Sequence, residues 1–288
     1  MTNFELPIPD GTGIYTFPDD LLTAHDAWQK QLAQTPKEPL ILRAPHDGTE
    51  YLIAERSPTG RPVIVIEPHH DDVTLSAAGL FLKAPRPLTV VTVFTKSSSV
   101  HPALEEIYPT IEVVSELRAL EATQAFRPLA ALHIQLDHKD ADPPYRPYTP
   151  AALEAVLADL ERIVAEHPDA ELLAPAGVTR HPDHLLVHDA ARRLGCRWFF
   201  EDLAYWPTYA LSTDDQHLFQ LRAGSQLVPE LADITEVLLD KQTLLHLHAS
   251  QMHPARARYR TARHAWTTGH ALGPGRFAER YFRTKEAA

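Results

Sequence analysis

A single cysteine, Cys196, stands among 288 residues, so no intrachain disulfide and no cysteine-based zinc site can be built. No apolar run reaches the roughly eighteen residues that a transmembrane helix needs, which excludes a membrane span of that kind. The opening Met1-Thr2-Asn3-Phe4-Glu5-Leu6-Pro7 has no basic segment ahead of an apolar one. A secretory signal is therefore not expected, and a cytoplasmic location is. Positive charge is also scarce: 27 Lys and Arg face 38 Asp and Glu, a net −11. That balance disfavours a nucleic-acid partner, whose phosphates call for clustered cations.

What is present is ordinary in bulk and unusual in detail. With 44% hydrophobic and 23% charged residues the chain falls in the globular range. Its 17 histidines and 25 prolines are both many. Metal chemistry in this chain would have to use imidazole and carboxylate.

Residues 1–60 are Pro-rich and weakly periodic, and read as an N-terminal extension packed on a main domain spanning 61–288. Tyr51–Glu55, before the turn signal Ser57-Pro58-Thr59-Gly60, suggests a short edge strand. From Val63 on, apolar runs alternate with segments of helical spacing. Val63–Ile66, Leu88–Phe94, Leu132–Leu136, Leu172–Ala174 and Arg197–Phe200 read as strands. Val73–Lys83, Leu104–Phe126, Ala151–His167 and His184–Leu194 read as helices. Alternating strand and helix implies parallel pairing with right-handed crossovers, hence an α/β fold with a Rossmann-like, doubly wound sheet. After Glu201 the pattern loosens: His217–Leu221 reads as a late strand and Asp233–Ala249 as a helix. From Arg256 on, seven arginines and Lys285 stand against Glu279 and Glu286. Such a tail reads as a solvated face or an intramolecular partner for acidic surface.

In open α/β sheets ligands bind beyond the carboxyl ends of the strands. Directly after Val63–Ile66 comes Glu67-Pro68-His69-His70-Asp71-Asp72. Adjacent acids repel and desolvate badly, a cost that a divalent cation removes. Imidazole nitrogen and carboxylate oxygen suit zinc. A second cluster, Arg180-His181-Pro182-Asp183-His184, follows the strand Leu172–Ala174, so the two share one rim. The nucleotide-binding G-x-G-x-x-G is missing after the first strand, which excludes a dinucleotide oxidoreductase of that type.

Pro68-His69-His70-Asp71-Asp72 together with His181-Pro182-Asp183-His184 resembles the PIG-L/LmbE-like zinc N-deacetylases, whose first motif usually runs Pro-His-Pro-Asp-Asp-Glu. Arg118 and Glu121 are similar to the family's Arg-x-x-Glu helix, and Lys241 with Ser250-Gln251 to its late helix. The resemblance implies an LmbE-like α/β fold in which His69, Asp72 and His184 hold Zn²⁺, replaceable by another divalent transition metal. It further implies Asp71 as general base. His181 would stabilise the oxyanion or protonate the leaving amine, with Asp183 orienting its ring. Arg118, Asp140, Arg146 and Glu201 are the candidate substrate contacts. His188, four residues after His184, is a weaker ligand candidate than His69.

The expected function is removal of acetyl from an N-acetylated amino sugar or related amide. The expected partner is thus a small N-acetylated molecule, and self-association into an oligomer is compatible with the sequence. Amides are poor electrophiles, and zinc both polarises a carbonyl and lowers the pKa of bound water to about 7. A metallophosphoesterase is the second reading, though two-metal phosphatases usually need more carboxylates than these motifs hold. A non-catalytic metal-binding module is the third, against which Asp71 speaks, since a scaffold needs no base beside its metal.

Overall fold

The chain was analysed as a computed structural model that describes residues 40–142, 144–203, 227–252 and 254–285. Strands β1 (Leu40–Arg43) and β2 (Glu50–Ile53) form an antiparallel pair. The strand expected at Tyr51–Glu55 is β2, but it pairs with β1 in a two-stranded sheet of its own rather than edging the main one. Leu42 and Ile53 from this hairpin are buried in the same apolar cluster as Phe81 and Phe126.

The main sheet has seven strands in the order β5-β4-β3-β6-β7-β9-β8. Strand β3 (Val63–Glu67) is buried along its whole length, as its unbroken apolar run requires of a central parallel strand. Its alternation sorts side chains onto two faces: Val63 and Val65 join one core with Phe81 and Phe126, while Ile64 and Ile66 join another with Leu153 and Phe199. Strands β4 (Leu88–Lys96), β5 (Leu132–Lys139), β6 (Glu171–Pro175) and β7 (Trp198–Phe200) run parallel to it. The chain steps outward from β3 through β4 to β5, then returns to the other side of β3 with β6. The order reverses there, so the carboxyl ends of β3 and β6 flank a topological switch point, where this class of sheet binds ligands.

The last two strands, β8 (Leu227–Asp233) and β9 (Ala278–Thr284), depart from expectation. Strand β9 enters the sheet antiparallel between β7 and β8. The Arg-rich tail is therefore part of the scaffold: its first half is the helix Pro254–Gly269, and Arg280 and Arg283 ion-pair with Glu201 and Glu230. Asp233, expected to begin a helix, closes β8 instead, and the helix begins at Leu238. The strand expected at His217–Leu221 lies outside the described residues.

The helix expected at Val73–Lys83 is two helices, α1 (Asp72–Ser76) and α2 (Ala78–Lys83), broken at Ala77 where φ is −135°. A buried carboxylate explains the second start. Glu279 of β9 accepts the Gly79 and Leu80 N–H groups, both at 2.9 Å, capping α2 from the far end of the chain. A Cβ on Gly79 would lie 2.7 Å from that carboxylate, so glycine is needed for the approach. The expected helix Leu104–Phe126 begins only at Ile111, after Pro109, as α3 (Ile111–Phe126) with Thr110 capping the Val113 N–H. Helices α4 (Pro150–Glu166) and α5 (Pro182–Arg193) each carry proline at their first position. Helices α6 (Leu238–His246) and α7 (Pro254–Gly269) lie between β8 and β9 in the chain. No helix among the described residues is long and apolar enough to cross a membrane.

Candidate active site

Both motifs meet at the switch point. Pro68 to Asp71 form the turn leaving β3, and Asp72 starts α1. The Asp72 carboxylate accepts the His69 N–H at 2.8 Å, folding the turn back on itself. From β6 the chain passes Gly177 and Arg180, both at positive φ (75° and 58°), and enters α5 with His181 as its cap. This loop delivers His181, Asp183 and His184 to the same point.

One ligand atom from each of His69, Asp72 and His184 lies within 4.8 Å of the others, and all three side chains are largely buried. His69 Nδ1 is 3.3 Å from Asp72 Oδ2, and His184 Nε2 is 3.4 Å from Asp72 Oδ1. Two imidazoles and one carboxylate fit a divalent transition metal with an open position. A second trio, His69, His181 and Asp183, is equally close. There, however, the Asp183 carboxylate already accepts the Ala141 N–H at 3.0 Å and His69 Nε2–H at 3.0 Å, and His181 Nδ1 faces the Asp183 N–H at 3.4 Å.

The electrostatics of the cluster show how strongly it draws positive charge. Burial opposes the His69 imidazolium, but hydrogen bonds to Asp183 and Asp72 overcome it and push its pKa up to about 10. Burial likewise opposes the Asp72 carboxylate, yet His184 and His69 pull it down to about 2. Asp71 behaves differently: burial raises its pKa and the nearby Arg118 only partly offsets that. Burial, with the charges of His69 and His184, brings His181 down to about 4. His181 is thus neutral near pH 7. With Nδ1 accepting from the Asp183 N–H, its Nε2 carries the hydrogen.

Asp71 is 3% exposed and its Oδ1 lies 3.8 Å from Arg118 Nη2, while its Oδ2 has no hydrogen-bond partner among the described residues. Arg118 is held from behind by Ser97 Oγ at 2.6 Å. It is a buried neighbour of Asp71, not the surface partner of Glu121 that helix spacing suggests. Glu121 turns instead to Ser250, accepting its N–H at 2.9 Å and its hydroxyl at 2.6 Å. Lys241 is also structural, paired with Glu279 at 2.6 Å.

A cavity of about 640 Å³ opens over the cluster, with Asp71, Arg118, Asp140, Tyr145 and His181 in its wall. Of the four residues expected to touch substrate, Arg118 and Asp140 line this space. Arg146 is exposed outside it. Glu201 is committed to His264 and Arg280, each at 2.9 Å. Its neighbour Asp202 faces the site, accepting a hydrogen bond from His184 Nδ1 at 2.9 Å. Both acids end a strand on the active rim, and the pairing of Glu201 with Arg280 of β9 turns it away from the cavity.

The expected His181–Asp183 pair is loose, at 3.7 Å between Nδ1 and Oδ2. Asp183 is instead the partner of His69. His188, the weaker ligand candidate, spends Nδ1 on the Pro175 carbonyl and is not in the cavity wall.

Comparison with known proteins agrees with this geometry. The family described as "PIG-L: GlcNAc-PI de-N-acetylase" matches residues 64–194, which span both motifs. The 2'-N-acetylparomamine deacetylase of Streptomyces fradiae is 34% identical over 254 residues, covering 77% of this chain and 88% of that protein. The chain belongs to the PIG-L family. Among solved structures of similar fold, the A40926 pseudoaglycone deacetylase is 25% identical with a TM-score of 0.60, covering 79% of this chain and 98% of its own. A zinc-inhibited form of a teicoplanin deacetylase is 18% identical with a TM-score of 0.58, covering 78% and 100%. That second likeness speaks for the fold alone. Strands β8 and β9 and the β1–β2 hairpin lie outside the matched span.

Proposed function

We propose that the protein is a zinc-dependent N-deacetylase that hydrolyses the acetamide of a small N-acetylated amino sugar, with Asp71 as general base. The observation that carries the proposal is the unpartnered Asp71 Oδ2, buried beside the His69–Asp72–His184 trio in the floor of a sugar-sized cavity. His69, Asp72 and His184 would hold the ion. When bound, Zn²⁺ polarises an amide carbonyl and activates water at neutral pH.

The chain's own groups supply the rest. Asp71 Oδ2 can take the proton of the attacking water, and the nearby Arg118 favours its charged form, partly offsetting the effect of burial. Neutral His181 can offer its Nε2–H to the oxygen on which negative charge develops. The leaving nitrogen then requires a proton, which Asp71, having gained one, can return. Asp140, also in the cavity wall, has a buried Oδ1 without a partner among the described residues and can accept a hydrogen bond from substrate hydroxyl or ammonium. The S. fradiae relative, named for an N-acetylated paromamine, supports an amino sugar as substrate.

The test is acetate release from a panel of N-acetylated amino sugars by protein reconstituted with Zn²⁺. Turnover that requires the metal and fails in Asp71→Asn supports the reading. Stoichiometric metal binding with no release from any member would leave a metal-binding module in its place.

A further inference from the structure

Asp202 is among the most heavily hydrogen-bonded carboxylates of the described residues. It ends the chain's passage out of β7, is 1% exposed, and collects four hydrogen bonds. Its Oδ1 accepts the Val178 N–H at 2.9 Å. Its Oδ2 accepts the Thr179 N–H at 3.1 Å, the Thr179 hydroxyl at 2.7 Å and His184 Nδ1 at 2.9 Å. Three N–H and O–H donors already point at this carboxylate, so it serves as an acceptor toward His184 as well, and the hydrogen on His184 sits on Nδ1. Nε2, the nitrogen 3.4 Å from Asp72, then keeps its lone pair.

We propose that Asp202 is the positioning residue of this site. It fixes the tautomer and ring orientation of His184 for cation binding and ties that ring to Val178 and Thr179, the second of which lies in the cavity wall. The inference rests on the reading of His184 as a metal ligand. Asp202 acts through His184 and touches neither substrate nor reacting atoms. One carboxylate thereby does two things: it makes His184 a better ligand, and it sets the loop that carries Arg180 and His181. The arrangement mirrors Asp183 on His69, so each of the two histidines carries a buried carboxylate on its outer nitrogen.

Zn²⁺ affinity, measured by competition with a chromophoric chelator, tests this alongside the thermal stability of the metal-free protein and the visible spectrum of the Co²⁺ form. Asp202→Asn preserves shape, but either it turns its oxygen to His184 without charge, or it turns its NH₂ there and forces the wrong tautomer. The expected result is Zn²⁺ affinity weakened by roughly 10–100-fold, the usual cost of losing such a partner, with an altered Co²⁺ spectrum. Thr179→Val removes one bond to the same oxygen without touching His184, and should keep Zn²⁺ affinity and the Co²⁺ spectrum near those of the parent. Equal Zn²⁺ affinity and an unchanged spectrum in Asp202→Asn would overturn the inference and leave Asp202 a loop anchor only. If the parent protein bound no divalent ion, the ligand reading itself would fall, and this inference with it. Should Asp202→Asn not fold, Asp202→Glu, which keeps the charge but displaces it, takes its place with the same expected loss.

Discussion

Asp183 accepts a hydrogen bond from His69 Nε2 at 3.0 Å, although the two lie on different strand-to-helix turns. The contact joins the motif after β3 to the motif after β6. It gives Asp183 a task that its spacing from His181 does not suggest.

Asp183→Asn should therefore behave like a loss of ligand support. Zn²⁺ affinity is expected to fall by roughly 10–100-fold, while kcat of the fully loaded protein drops less than in His181→Ala. Titrating metal into both variants and measuring kcat at saturation separates the two patterns. A Zn²⁺ affinity equal to the parent's would return Asp183 to the His181 side.

For His181→Ala the expected loss is about 10²–10³ in kcat, corresponding to ~2.7–4 kcal/mol of transition-state stabilisation. Zinc content by elemental analysis should stay at the parent level. Zinc lost with His181→Ala but kept in His184→Ala would exchange their roles.

Asp71→Asn is isosteric and cannot take a proton. Turnover should fall by roughly 10²-fold or more with one equivalent of metal retained, whereas Asp72→Ala should lose both. Full activity in Asp71→Asn would remove Asp71 as the base.

Glu121 yields a prediction about stability and pH. Burial raises its pKa from 4.5 to about 8, against the pull of its bonds to Ser250. The folded protein therefore holds a proton there that the unfolded chain has released above pH 4.5. This group's contribution is full below that value and is lost as pH rises toward 8. Glu121→Gln removes the proton demand, so its Tm relative to the parent should rise between pH 5 and pH 8. A difference in Tm that stays flat over that range would contradict the assignment.

Much of this could be read in the linear chain because the local signals were strong. The unbroken apolar run of β3 and the proline starts of α4 and α5 needed no distant partner to be recognised. The meeting of His69, Asp72 and His184 was legible for the same reason, each half being a short contiguous motif. What stayed hidden depends on pairs far apart in sequence. Glu279 looks like a surface charge until Gly79, Leu80 and Lys241 surround it. Ala278–Thr284 hides a strand because its arginines are paid in ion pairs with Glu201 and Glu230 while Tyr281 and Phe282 fill the core. The division of roles between Glu201 and Asp202 was hidden for a related reason, since only the closed site shows which of two adjacent acids turns inward.

Strand β9 also sets an order of events. It lies between β7 and β8, yet leaves the ribosome after both. Until it arrives, β7 presents an open edge, β8 has no neighbour in the sheet, and the start of α2 lacks its cap. An open edge is a template for pairing with other chains. The parallel half with its His69–Asp72–His184 cluster can assemble before β9 arrives, so the period of greatest aggregation risk falls between completion of that half and insertion of the final strand.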